Sequence, residues 1–233
     1  RSTQAKTLFP YTTLFRSTHI LLFSTLVISL TGCYVSQNFD NQVQISRTGQ
    51  YQVDVDIDVI NGTLLYAQAA SKEQKRALTA DELKKIFADC EKEFNQTVAL
   101  DIKKGNHILS SKYLGECRGH LTLKYTGNII KEKTFTASIS SFSENGFEIP
   151  VTMEYDAKNK LIVINGKTQG DKATTQAFSS FQYNGKLRVK TDGKVVSTNA
   201  DSKPYWGLIG SYKWSIRDLT TPNATMVIST TGF

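Results

Sequence analysis

Tyr51-Gln52-Val53-Asp54-Val55-Asp56-Ile57-Asp58-Val59 decides the fold class of this chain. Apolar and polar residues alternate without a break. One face of an extended segment is therefore Tyr, Val, Val, Ile and Val, and the other is Gln and three Asp. A period of two belongs to a β-strand with one buried and one wet face. Asn61-Gly62 follows, the dipeptide favoured by two-residue type I′ turns, so residues 63–67 are expected to return as the partner strand.

One convincing helix lies downstream. Thr79 is a good N-cap with Glu82 three residues on, and Leu78 with Leu83 forms a hydrophobic staple. Leu83, Ile86, Phe87, Cys90 and Phe94 then recur at helical spacing and make one apolar stripe. Cys90 is thus expected to point at the core. Cys117 opens a run, 117–125, in which Leu121, Leu123 and Tyr125 alternate as a strand.

Beyond residue 128 the helical period disappears. Turn dipeptides recur at Asn145-Gly146, Asn165-Gly166, Asn184-Gly185 and Asp192-Gly193. Strand formers fill 135–142, 147–155, 161–164, 177–183, 186–190, 212–216 and 224–229. The expected fold class is α+β, a mainly antiparallel β-sheet with one amphipathic helix packed on it. Residues 50–127 read as a helix-bearing half and 128–233 as a β-rich half, either separate or parts of one domain.

Upstream, residues 20–30 are an uninterrupted uncharged run ending in Leu30-Thr31-Gly32-Cys33. Eleven residues are too few for a bilayer core, which needs about 20 in a helix. The length suits the apolar region of a signal peptide with a small-residue cleavage site. Leu30-Thr31-Gly32-Cys33 resembles the lipobox of bacterial lipoproteins. That resemblance implies a signal peptide over 18–32, acylation of Cys33 (palmitate among the chains) and cleavage that makes Cys33 the N-terminus. Tyr34 follows, where aspartate marks inner-membrane retention in Gram-negative lipoproteins, which implies an outer-membrane lipoprotein facing the periplasm. A buried element that happens to end in Gly-Cys is the alternative. Residues 33–49, rich in Asn, Gln and Ser, read as lipid anchor and tether. Residues 1–17 resemble translated sequencing-adapter read-through, with a long basic leader as the alternative, and are set aside from the fold.

The 233 residues carry a net charge of +7. Residues 1–32 hold Arg1, Lys6 and Arg16 and no acid. From Cys33 onward, 28 less 3 basic residues face 21 acids, a net of +4. The charges are interspersed, with no basic block and no interleaved aromatic stripe, so nucleic acid is not an expected partner. The expected partners are the membrane, through the anchor, and an envelope protein or an amphiphilic ligand. The order after the lipid cysteine is an alternating strand with Asn-Gly, one helix, then strands. It resembles the LppM-type envelope lipoprotein domain over residues 50–125, in order of elements and not in a motif. Such domains are associated with envelope lipid binding; no ligand residue carries over.

Cys90 and Cys117 are an even pair in an oxidising compartment and are expected to form a disulfide. Two buried free thiols are the alternative. The pair would close a loop of about 28 residues, for roughly 3–4 kcal/mol on the chain-entropy model. Zinc-type spacing is missing around His120. Asp54, Asp56 and Asp58 invite a calcium reading, but the sixth and twelfth loop positions are Val59 and Leu65 instead of Gly and Glu. A solvated strand face is the expected reading, and no metal or cofactor is expected. His107 and His120 lack a nucleophile motif, so no catalytic residue is assigned and the chain is not expected to be an enzyme. Tyr205 and Trp206, after Pro204, are the candidate ligand or partner surface, since aromatics with polar handles suit such surfaces.

Overall fold

The computed structural model describes residues 34–105, 107–139, 147–166, 184–205, 210–217 and 222–231. Strand β2 (Gln50–Asn61) has the predicted alternation, with Tyr51, Val53, Val55, Ile57 and Val59 all buried. It pairs antiparallel with β1 (Tyr34–Ile45) on one side and with β4 (Arg118–Asn128) on the other.

The segment expected to be a tether is therefore a central strand, twelve residues long. Its polar composition conceals this. Asp40, Gln42 and Gln44 belong on the wet face, while Phe39, Asn41, Val43 and Ile45 are buried on the other. A register shift between Ser36 and Asn38 breaks the alternation and hides the period.

Asn61-Gly62 is not a hairpin turn either. β2 has both edges occupied, so no return strand can pair with it. Instead Asn61 accepts from the Thr63 amide at 2.8 Å and caps helix α1 (Gly62–Glu73). Helix α2 (Ala80–Lys103) has the predicted capping box between Thr79 and Glu82. Its Cys90, Phe94, Thr97, Val98 and Asp101 are buried, whereas Leu83, Ile86 and Phe87 are half-buried. Two helices thus precede the third strand, where one was expected, and a single turn, α3 (Ile129–Glu132), follows β4.

The remaining strands are β3 (Ile108–Gly115), β5 (Thr134–Ile139), β6 (Phe147–Asp156), β7 (Leu161–Gly166), β8 (Asn184–Thr191), β9 (Lys194–Thr198), β10 (Tyr212–Ile216) and β11 (Ala224–Ser229). The expected strand at 177–183 lies outside the described residues. Six strands form one sheet in the order β10-β8-β1-β2-β4-β3, and five form a second in the order β5-β6-β7-β11-β9. Pairing is antiparallel except between β1 and β8. Because β8 and β10 join the N-terminal strands, the two sequence halves share one sheet, and residues Gly32–Phe233 form one unit. Asn184-Gly185, expected as a turn, lies inside β8. A Cβ on Gly185 would overlap the Phe39 ring, so glycine is there to admit that ring.

Both sheets and α2 contribute to one core. Val53, Val55, Leu121, Leu187 and Trp214 come from the six-stranded sheet. Met153, Ile164 and Met226 come from the other, and Phe94 and Val98 from α2. Trp214 Nε1 donates to Asn199 Oδ1 at 2.8 Å, and the same oxygen accepts from the Thr225 amide, which ties β10 to the second sheet. Asn41 is the anomaly. It is 0 % exposed, opposite Val55 and Leu187, and its amide nitrogen and oxygen make no hydrogen bond among the described residues. A buried polar group without partners costs about 1–3 kcal/mol. Asn41→Leu, which keeps the number and branching of side-chain heavy atoms, is expected to raise stability by about 1 kcal/mol once the bulkier methyls are accommodated, read as a higher urea midpoint with an unchanged slope.

Candidate functional site

Three places concentrate polar chemistry. The first is the wet face of the six-stranded sheet. Its register sets Asp40 opposite Asp56, Asp58 opposite His120 and Asp54 opposite Lys124. Like charges directly opposed across strands destabilise, so the acids need partners. Arg188 holds Asp40 through two hydrogen bonds, at 3.0 and 2.5 Å. His120 Nδ1 lies 2.9 Å from Asp58 and 4.0 Å from Asp56, and Gln52 donates to Asp54 at 2.7 Å. Asp56 remains 62 % exposed. This is the solvated face anticipated, with Asp40 paired to Arg188, Asp58 hydrogen-bonded to His120 and Asp54 to Gln52. Among the described residues, no group of three or more His, Cys, Asp or Glu is placed to hold a metal ion.

The two histidines do not meet. His120 stands on the wet face of β4, whereas the His107 ring lies 4.5 Å from that of Tyr125, a core-side residue of the same strand. His120 has an orienting carboxylate. No serine or cysteine hydrogen-bonds to it among the described residues.

The second place is the sheet end where β1 begins and β2 ends. Here Cys90 and Cys117 form the expected disulfide, with Cα atoms 5.1 Å apart. Asn61, fully buried, serves three partners. Its amide donates to the Cys117 carbonyl at 2.8 Å, its Oδ1 caps α1, and its Nδ2 donates to Glu93 at 3.0 Å. Tyr113 Oη donates to the Phe87 carbonyl and accepts from the Cys117 amide, both at 3.1 Å. Burial raises the Glu93 carboxyl above the usual carboxylate range, opposed by the Asn61 amide. Burial likewise raises the Tyr34 hydroxyl well above its ordinary value. At the start of α2 the opposite holds. The Arg76 guanidinium, then the Thr79 amide, pull Glu82 down to about 2. Cys33 itself lies outside the described residues, and Tyr34 is its covalent neighbour.

The third place is a cleft of about 530 Å³ at the opposite end of the sheet, beside the β1–β2 turn. Gln44, Gln50, Gln52, Lys190 and Asp192 line it together with Tyr51, Tyr212 and Pro204. Four strands and the loops at Asp192 and Pro204 supply these residues, so no local motif announces them. The charged and amide groups suit a polar ligand. The proposed aromatic surface is only partly visible: Tyr205 is 75 % exposed, and Trp206 lies outside the described residues.

No family model matches the chain, and no curated protein matches it. Among solved structures it is similar to the folded domain of LppM from Mycobacterium tuberculosis, determined by NMR. The TM-score is 0.42 and the identity 12%, over 84% of this chain and 90% of that one. That degree of likeness is too low to carry a fold or a role from one chain to the other. No helix among the described residues is long and apolar enough to cross a membrane.

Proposed function

We propose that this chain is a lipid-anchored bacterial envelope lipoprotein with a non-catalytic binding role, held in the outer membrane and facing the periplasm. The observation that carries the reading is Leu30-Thr31-Gly32-Cys33 at the end of the apolar run 20–30, directly before the first residue of β1. A disulfide-linked domain suits an oxidising compartment outside the cytoplasmic membrane. Several acyl chains, at about 0.8 kcal/mol per buried methylene, make such anchoring permanent. The cleft by the β1–β2 turn is the binding site of this reading, for a polar ligand or a segment of an envelope protein. A carrier of an amphiphilic lipid or glycolipid would need an apolar cavity between helix and sheet. Phe94 occupies that space, packed on Gly119 and with its ring 5.8 Å from Tyr113, which favours the polar ligand.

Cys33→Ser is expected to shift the protein from the membrane pellet to the soluble or unprocessed fraction. Intact mass of the wild-type protein is expected to show an acylated N-terminal Cys33. A wild-type protein recovered unacylated, with residues before Cys33 intact, from a host that processes lipoproteins would overturn the reading.

A further inference from the structure

We propose that the domain stands directly on the bilayer by the end of the six-stranded sheet that carries Tyr34. The α1–α2 hairpin is its foot, and that hairpin's lysines face anionic lipid headgroups. The inference rests on the reading that Cys33 is acylated, and adds to it an orientation and a contact surface.

The first argument is the missing slack. Consecutive Cα atoms are about 3.8 Å apart, and Tyr34 is already buried, paired with Asn61. An acylated Cys33 would therefore be one residue from the corner of the fold that the disulfide and the Asn61 hydrogen bonds tie together. A polar tether would let the domain tumble above the membrane; β1 has consumed the segment that could have served as one. The lipid must hold this sheet end at the headgroups.

The second argument is what else emerges there. α1 leaves the sheet at Asn61, the partner of Tyr34, and α2 is tied back by Cys90 to Cys117, next to the start of β4. Residues 62–89 are thus attached to this sheet end on both sides. They pack in a satellite cluster of their own around Ile60, Leu64 and the disulfide, apart from the main core. A helix of twelve residues is about 18 Å long, enough to reach the lipid surface from that end.

The third argument is charge. Lys72, Lys75, Lys84 and Lys85 are all exposed on α1, α2 and the turn between them; Arg76 is paired with Glu82, and against Glu73, Asp81 and Asp89 the four lysines leave residues 62–89 with a net charge of +1. Anionic headgroups attract such residues within about a Debye length, roughly 8 Å at physiological salt. Leu114, 42 % exposed at the end of β3, adds an apolar contact on the same side. The β1–β2 turn lies at the far end of a twelve-residue strand, about 35 Å away, so the cleft faces outward from the membrane.

The test uses the full acylated chain, whose three cysteines are all occupied if Cys33 carries lipid and Cys90 pairs with Cys117. Lys72→Cys at the hairpin and Thr48→Cys at the β1–β2 turn are each labelled with a fluorophore. The proteins are reconstituted in phosphatidylethanolamine–phosphatidylglycerol vesicles bearing a headgroup nitroxide. Quenching is expected to be several-fold stronger at position 72 than at 48, and weaker at 72 in phosphatidylcholine alone. Inserting about 15 Gly/Ser residues after Tyr34's predecessor, a reach of roughly 20 Å, is expected to erase the difference between sites while acylation persists by mass. Equal quenching at the two sites in the untethered, acylated protein would overturn the orientation. An unchanged signal at 72 in phosphatidylcholine would overturn the role of the lysines. Loss of the acyl mass would instead strike the anchoring reading. Circular dichroism like that of the wild type confirms that each variant is folded.

Discussion

Gly119→Val is expected to destabilise the domain by about 3 kcal/mol, at the upper end of what overpacking a core costs. Gly119 lies in the interior of β4, where glycine is otherwise a poor choice. Its backbone is not left-handed, so conformational freedom does not explain it. Proximity does: a Cβ built there would overlap the Phe94 ring at three of its carbons. Phe94 is 1 % exposed and joins the main core from α2, and its ring lies 6.2 Å from that of Tyr34. Glycine at 119 is thus the socket that lets α2 sit close to the sheet. Phe94→Ala is expected to cost about 3–5 kcal/mol as a cavity. In the double variant, the added valine side chain enters the space the ring vacates. Its loss is therefore expected to fall short of the sum of the singles by at least about 1 kcal/mol. Urea unfolding of the four proteins reads this coupling, and additive losses would show that the ring and the glycine do not constrain each other.

The sequence made β2 and α2 legible because in each a single period runs unbroken: two for residues 51–59, and 3.6 over 83–94 behind a capping box. The strands at 147–155, 161–164, 186–190, 212–216 and 224–229 were legible instead from runs of strand formers set between turn dipeptides; 161–164, Leu-Ile-Val-Ile, has no alternation at all. β1 was not, because a shift at Ser36/Asn38 breaks its period and Asn41 puts a polar residue on the core face. Asn61-Gly62 and Asn184-Gly185 misled because the same dipeptide serves three ends. It can make a tight turn, cap a helix, or clear room for a neighbouring ring, and only the occupancy of the adjacent strands decides. The β3–β4 turn erred in the other direction. Glu116 and Cys117 sit between paired Gly115 and Arg118, both with positive φ, in a two-residue hairpin turn with neither Gly nor Asn at its centre. Gly115 before them, at φ 85, is the local mark, and tertiary ties hold the two central residues. The cleft is harder still: Gln44, Gln50, Lys190 and Tyr212 converge from four strands only after the parallel β1–β8 pairing forms.

Cys90→Ala/Cys117→Ala is expected to lower stability by about 3–4 kcal/mol, the chain-entropy value for the loop between them. The effect resides mainly in the unfolded chain, since in the folded protein other bonds duplicate the bridge. Tyr113 Oη still links the Cys117 amide to the Phe87 carbonyl, and Asn61 still donates to the Cys117 carbonyl. The double variant is therefore expected to keep the wild-type circular dichroism and to unfold at a lower urea concentration. Reductant should bring the wild-type protein close to the variant and leave the variant unmoved. The turn adds a second, local cost. Glu116 and Cys117 occupy left-handed backbone, at φ 50 and 58, that non-glycine residues adopt at a penalty. The bridge helps to hold that conformation, so its loss should speed hydrogen exchange first at 113–118 and in α1 and the first half of α2. Exchange that rises uniformly across both sheets would mean that the bridge acts on the unfolded chain alone. A wild-type midpoint indifferent to reductant would mean that it contributes no stability at all.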